Sequence, residues 1–118
     1  MSLGIDMVDV VRLRGSLERL PGLEEKLFTK DERRYCTSKR DPVMHLAGTL
    51  AAKEAVIKVL KLGRLVEWSR RIEIRRDEAS GAPEATVDGS SRGVEISISH
   101  ERGMAVAVAM LLPADAPA

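Results

Sequence analysis

The stretch DPVMHLAGTLAAKEAVIKVLKLG, residues 41–63, decides the fold. Asp41 is a good helix cap, Pro42 fits the first helical position because its missing N–H would be unpaired there anyway, and Gly63 offers a stop. The spacing therefore predicts one long helix ending at Leu62. Leu46, Leu50, Ile57 and Leu60 make an apolar stripe, while Ala47, Ala51 and Ala55 are small enough to let another element come close. Such a helix belongs in a core, yet it carries Lys53, Glu54 and Lys58. Glu54 and Lys58 are four residues apart and share a face that Lys61 continues. A surface ion pair worth about 0.3–0.5 kcal/mol would account for them. A ligand lying on the smooth alanine surface would give Lys53 and Glu54 a task instead.

Outward from this helix, LGIDMV (residues 3–8) is an apolar strand interrupted by Asp6, a residue that a solvated strand end would also explain. In VVRLRGSLERL (10–20), Val10, Leu13, Leu17 and Leu20 recur at helical spacing until Pro21 and Gly22 stop the helix. Thr29 followed by Glu32 is a capping-box signature that starts a short helix at Lys30; the pattern breaks near Lys39 and Arg40. After the long helix, RIEIRR (71–76), SGAPEATV (80–87), VEISIS (94–99) and MAVAVAML (104–111) read as strands, the last two joined by the hairpin-sized HERG. The expectation is an α+β fold: an N-terminal strand and helices, with the long helix packed on an antiparallel β-meander. Residues 1–112 would be a single domain and 113–118 a disordered tail.

Composition excludes several classes. Hydrophobic residues make up 44% of the 118, but Phe28, Tyr35 and Trp68 are the only aromatics, so the core must be aliphatic and a nucleic-acid reader built on stacked rings is not expected. With 19 Lys and Arg against 18 Asp and Glu, the net charge of +1 steers the chain toward no polyanion, and any anion site must be local. The single Cys36 has no internal disulfide partner, which fits a reducing cytosol. No apolar run approaches the roughly 20 residues of a membrane span, and no signal peptide precedes the first strand; the expected location is the cytoplasm.

No nucleophile–base pair, nucleotide-binding glycine loop or zinc spacing is present. His100 ends the strand VEISISH, where a solvated turn residue is the plain alternative to a ligand-binding one. Ser97 and Ser99 share a strand face, and hydroxyls beside a histidine would suit a phosphate. Two lone carboxylates, Asp6 and Glu54, with several basic groups are compatible with a hard divalent metal and a phosphorylated ligand.

The set GIDMVDVVRLR, LFTKDE, TSKRDPVMHLAG, AAKEAVIKVL, IEIRRDEASGAP and ISISH resembles the holo-acyl-carrier-protein synthases, the small 4'-phosphopantetheinyl transferases, in order along most of the chain. The resemblance implies an enzyme that moves the 4'-phosphopantetheine arm of coenzyme A to a serine of an apo acyl carrier protein, releasing adenosine 3',5'-bisphosphate. It implies a homotrimer with active sites between neighbouring subunits. By position, Asp6 and Glu54 would hold magnesium, Glu54 would also be the candidate base, and Lys58 would contact the phosphates of coenzyme A. Lys39, Arg40 and His100 match positions around the nucleotide, and Arg12, with Arg14 beside it, would meet the acidic carrier protein. Thr49 stands where the family pattern has an arginine, which implies one phosphate contact fewer; Leu50 and Met104 are further departures. The alternative is a degenerate relative that binds a carrier protein or coenzyme A without catalysis.

Overall fold

The computed structural model describes residues 2–113. All of the expected tail except Pro113 therefore lies outside the described residues. Five helices and five strands follow in the order β1 (Ser2–Asp9), α1 (Val10–Arg19), α2 (Leu23–Leu27), α3 (Lys30–Thr37), α4 (Pro42–Leu60), α5 (Leu65–Trp68), β2 (Ile72–Arg76), β3 (Pro83–Val87), β4 (Val94–Glu101) and β5 (Met104–Leu111).

The α+β class and the long helix packed on antiparallel strands match the expectation. The strands divide, however, between two sheets: β5 lies between β1 and β4 in one, and β2 pairs with β3 in the other. The break between β3 and β4 has a local cause. Asp88, Gly89, Arg92 and Gly93 all take positive φ, which turns the backbone out of any ladder that would join the two hairpins. The N-terminal strand then fills the free edge of β5.

Both caps expected for helix starts are present: Asp41 accepts from the Met44 N–H, and Thr29 and Glu32 form a full capping box. The end of α4 differs from expectation. The helix stops at Leu60, where Lys61 takes the left-handed cap (φ 55°) and the Leu62 N–H reaches back to the Ile57 carbonyl; Gly63 is not the cap. The short α2 and α5 were not foreseen, since five and four residues are too few to show a helical period.

α4 is covered on several sides rather than along one stripe. Its Ala47, Ala51, Ala52 and Ala55 are wholly buried, as are Ala105, Ala107 and Ala109 of β5. Small residues on both surfaces bring backbone toward backbone. At Gly4 of β1 a Cβ would stand 2.2 Å from the Ala55 carbonyl oxygen, so only glycine permits this crossing. Two clusters of polar side chains depend on this close packing. Among the described residues, no helix is long and apolar enough to cross a membrane.

Candidate active site

Asp6 lies two residues beyond Gly4 on β1 and so on the same face, the one pressed against α4. The contact at Ala55 places it beside the next polar positions of the helix. Lys58 Nζ donates to Asp6 Oδ1 at 3.1 Å and to the Ile5 carbonyl at 2.8 Å. Glu54 is the neighbouring acid on α4; burial and then the Asp6 carboxylate push it up to about 7, with Lys58 pulling the other way. Glu54 therefore holds a proton near neutral pH, and a cation of higher charge can take its place.

The donor set fits a hard divalent ion. Among the described residues, no three His, Cys, Asp or Glu side chains gather in a metal-holding group. Two carboxylates nevertheless suffice for magnesium, which keeps several waters and accepts phosphate oxygens from a bound substrate. Lys58 uses two of its three donors inside the cluster, and its side chain remains 54% exposed, open to an arriving anion.

Lys53 has a different task from the one its alanine surroundings suggested. It is fully buried, its Nζ lies 2.6 Å from Glu32 Oε1, and it also donates to the carbonyls of Leu27 (2.8 Å) and Ser69. Glu32 is the capping-box residue of α3, and its other oxygen accepts from the Ile74 N–H at 2.7 Å. The pair ties α4 to α3, β2 and the α2 and α5 ends. Burial pushes Glu32 up and Lys53 down, against their mutual attraction. A lysine between alanines in a buried helix, with a capping glutamate upstream, was the signal for this pairing.

A second polar cluster lies farther up α4. His100 turns inward to Gly48, where an added Cβ would stand 2.6 Å from its Nε2, and its ring is 5.5 Å from that of His45. Burial holds both histidines below their usual range, and the Arg76 guanidinium adds to the effect on each. Ser97 and Ser99 do share a face, but it is the outer one, opposite His100. Among the described residues the expected grouping of hydroxyls beside the histidine is thus absent, because alternate residues of a strand point to opposite sides.

Lys39 and Arg40 are exposed in the link between α3 and α4, with Lys39 Nζ 4.6 Å from the centre of the Tyr35 ring. Arg12 is exposed on α1, and Arg14 makes a 3.4 Å ion pair with Asp41. Sequence reasoning missed Arg76. In IEIRR, Ile72 and Ile74 are buried, so the period of two carries Arg76 to the inner face as well. There it donates to Thr49 Oγ1 at 2.7 Å and to the His45 carbonyl at 3.4 Å.

Residues 2–109 match the family model of the 4'-phosphopantetheinyl transferase superfamily. The chain is 42% identical over 118 residues to a holo-(acyl-carrier-protein) synthase of Chlorobaculum tepidum, covering 96% of this chain and 99% of that one. It is 41% identical over 117 residues to the synthase of Chlamydia trachomatis, covering 92% and 96%. Among solved structures, the Helicobacter pylori synthase in complex with coenzyme A is similar with a TM-score of 0.79 and 29% identity, over 93% of this chain and 99% of that one. A Bacillus anthracis synthase is similar with a TM-score of 0.75 and 30% identity, over 92% of each chain. The chain belongs to the 4'-phosphopantetheinyl transferase superfamily.

Proposed function

We propose that this chain transfers the 4'-phosphopantetheine arm of coenzyme A to a serine of an apo acyl carrier protein, with magnesium, releasing adenosine 3',5'-bisphosphate. The observation that carries the reading is the cluster of Asp6, Glu54 and Lys58 across β1 and α4, in a chain whose relatives are named as synthases of this kind. Asp6 and Glu54 would hold the magnesium, which when bound would neutralise charge on the departing phosphate. Lys58 adds a positive charge beside the same oxygens with its remaining donor. Glu54 takes the serine proton directly or through a water; its value of about 7 is that of the metal-free protein, and a bound magnesium would lower it.

Lys39, Arg40 and His100 are assigned to the nucleotide end of coenzyme A, and Arg12 and Arg14 to the acidic carrier. Residues 1–112 are read as one transferase domain that acts in the cytoplasm. A homotrimer is favoured by the outer face of the β1–β5–β4 sheet. Leu3, Ile5 and Met7 are 62%, 57% and 59% exposed. They stand directly opposite Met110, Val108 and Val106 of β5, which makes one continuous apolar surface on the side away from α4.

Incubation with coenzyme A, magnesium and an apo acyl carrier protein, followed by intact-mass measurement of the carrier, tests the function. The expected result is addition of the phosphopantetheine arm, lost in excess chelator. No mass change in a folded protein that still binds coenzyme A would instead establish the non-catalytic relative.

A further inference from the structure

Among the described residues the buried polar side chains are Glu32, Thr49, Lys53 and Ser69, and three of the four belong to one network around the Lys53 ammonium. All three of its donors have an acceptor: Glu32 Oε1 at 2.6 Å, the Leu27 carbonyl at 2.8 Å and the Ser69 carbonyl. Each element that supplies an acceptor is itself held. Glu32 Oε1 also accepts from the Thr29 N–H at 2.8 Å, Glu32 Oε2 accepts from the Ile74 N–H at 2.7 Å, and the Ser69 hydroxyl donates to the Lys26 carbonyl at 2.8 Å. α2, α3, β2 and the end of α5 thus present one socket to a single side chain of α4.

Stability alone does not call for such a socket. A buried ion pair loses by leaving water about what it gains from attraction, and replacing both partners with neutral groups of similar volume often leaves a protein no less stable. What the pair supplies is direction. The helix around it is alanine, wholly buried at Ala51, Ala52 and Ala55, and it shares one apolar cluster with Ala107 and Ala109 of β5. Side chains that small form shallow ridges, which do little to stop a helix turning about its axis. Three directional contacts do stop it. Glu54 follows Lys53 at about 100° round the helix, and Lys58 lies one turn beyond Glu54 on the same face. A fixed Lys53 therefore fixes the direction in which both side chains leave α4, toward Asp6 of β1, where Lys58 Nζ makes its 3.1 Å contact.

We propose that Lys53 is a positioning residue for the transfer site: held by Glu32, Leu27 and Ser69, it sets the rotation of α4 that brings Glu54 and Lys58 to Asp6. The inference rests on the transferase reading above and adds to it a residue that is wholly buried and acts only through its neighbours. A misplacement of about 1 Å at a reacting group can lower a rate about a hundredfold, so a small turn of α4 is enough to matter.

The double variant Glu32→Gln with Lys53→Met tests this, since it empties the socket of charge without stranding an ion. Three quantities are compared with wild type: unfolding in denaturant, manganese affinity read by water-proton relaxation with coenzyme A present and no carrier, and steady-state transfer to an apo acyl carrier protein. In the folded double variant manganese affinity is expected to fall about tenfold and kcat about ten- to a hundredfold, while the Michaelis constant for the carrier stays within about twofold. Wild-type manganese affinity and kcat in that variant overturn the proposal. An equal loss in kcat and in the Michaelis constant for the carrier also overturns it, because general loosening of the fold would cause that. Should the double variant not fold, Glu32→Gln alone decides: it weakens one of three anchors, so manganese affinity falls with the carrier's Michaelis constant unchanged, and an unchanged affinity overturns the proposal. If wild type itself adds no phosphopantetheine arm to the carrier, the transferase reading fails, an outcome distinct from failure at Lys53 alone.

Discussion

Asp6, Glu54 and Lys58 become one unit only because Gly4 lets β1 cross α4 at Ala55. The charges themselves stood out in the sequence, as a carboxylate in an apolar strand and an i,i+4 pair on a core helix; their meeting is tertiary. The contact of Arg76 with Thr49 and the His45 carbonyl was hidden for the same reason, since nothing in a β-strand's alternation tells which helix residue it will touch. Glu54 carries a testable consequence. Its ordinary value is 4.5 and its value in the fold is about 7, so its protonated form is the one the fold favours. The stabilising contribution is complete below about pH 4.5 and is lost as pH rises through about 7. In metal-free protein the melting temperature should fall across that window, and Glu54→Gln, which mimics the protonated acid, should flatten the fall. Thermal denaturation in chelator checks this: parallel curves for the two proteins would assign the transition to another group. Magnesium competes with the same proton, so its stabilising effect on wild type should be larger above pH 7 than below it.

At the scale of elements, AAKEA holds two neighbouring charges with opposite fates. Glu54 turns to the site, while Lys53, about 100° farther round the helix, locks α4 to α3 and β2 through Glu32. The capping box was legible as a helix start because its spacing is local. That its glutamate is also a buried counter-ion was not, because the partner lies in another helix. Lys53→Met should cost about 3–5 kcal/mol by stranding a buried carboxylate. The double variant Glu32→Gln with Lys53→Met should lose less than the sum of the single changes. Denaturant unfolding measures both, and additive losses would mean the two groups are not coupled. The extent of α4 was readable to within two residues; the residue that caps it was not, because a left-handed Lys61 did the work expected of Gly63.

For the molecule as a whole, the order of the strands and the three longer helices and the α+β class were readable from periodicity, but the two short helices and the division into two sheets were not, the latter because it depended on positive-φ turns that no hydrophobic pattern records. The apolar outer face of the larger sheet calls for a cover. Ile5→Glu, whose side chain points away from α4, should turn a trimer into monomers while keeping the subunit's circular dichroism; sedimentation equilibrium checks it, and an unchanged mass in solution would free that face from the interface. Encounter with an acidic carrier should depend on exposed Arg12 more than on Arg14, which is already paired with Asp41. Arg12→Glu should raise the Michaelis constant for the carrier by roughly tenfold and that for coenzyme A little, with weaker salt dependence of kcat/KM, because rim charges act on association. Steady-state kinetics against each substrate at two ionic strengths measures it, and equal changes for both would point to a folding defect. In the proposed reaction Asp6 and Glu54 hold the metal on which transfer depends. The most direct measurement is the rate of mass gain on an apo acyl carrier protein, with coenzyme A and magnesium, for wild type, Asp6→Asn and Glu54→Gln side by side. A wild-type rate that chelator abolishes and losses of about 10²- to 10³-fold in each folded variant are expected. Full transfer by Glu54→Gln, or by wild type in excess chelator, would contradict that role.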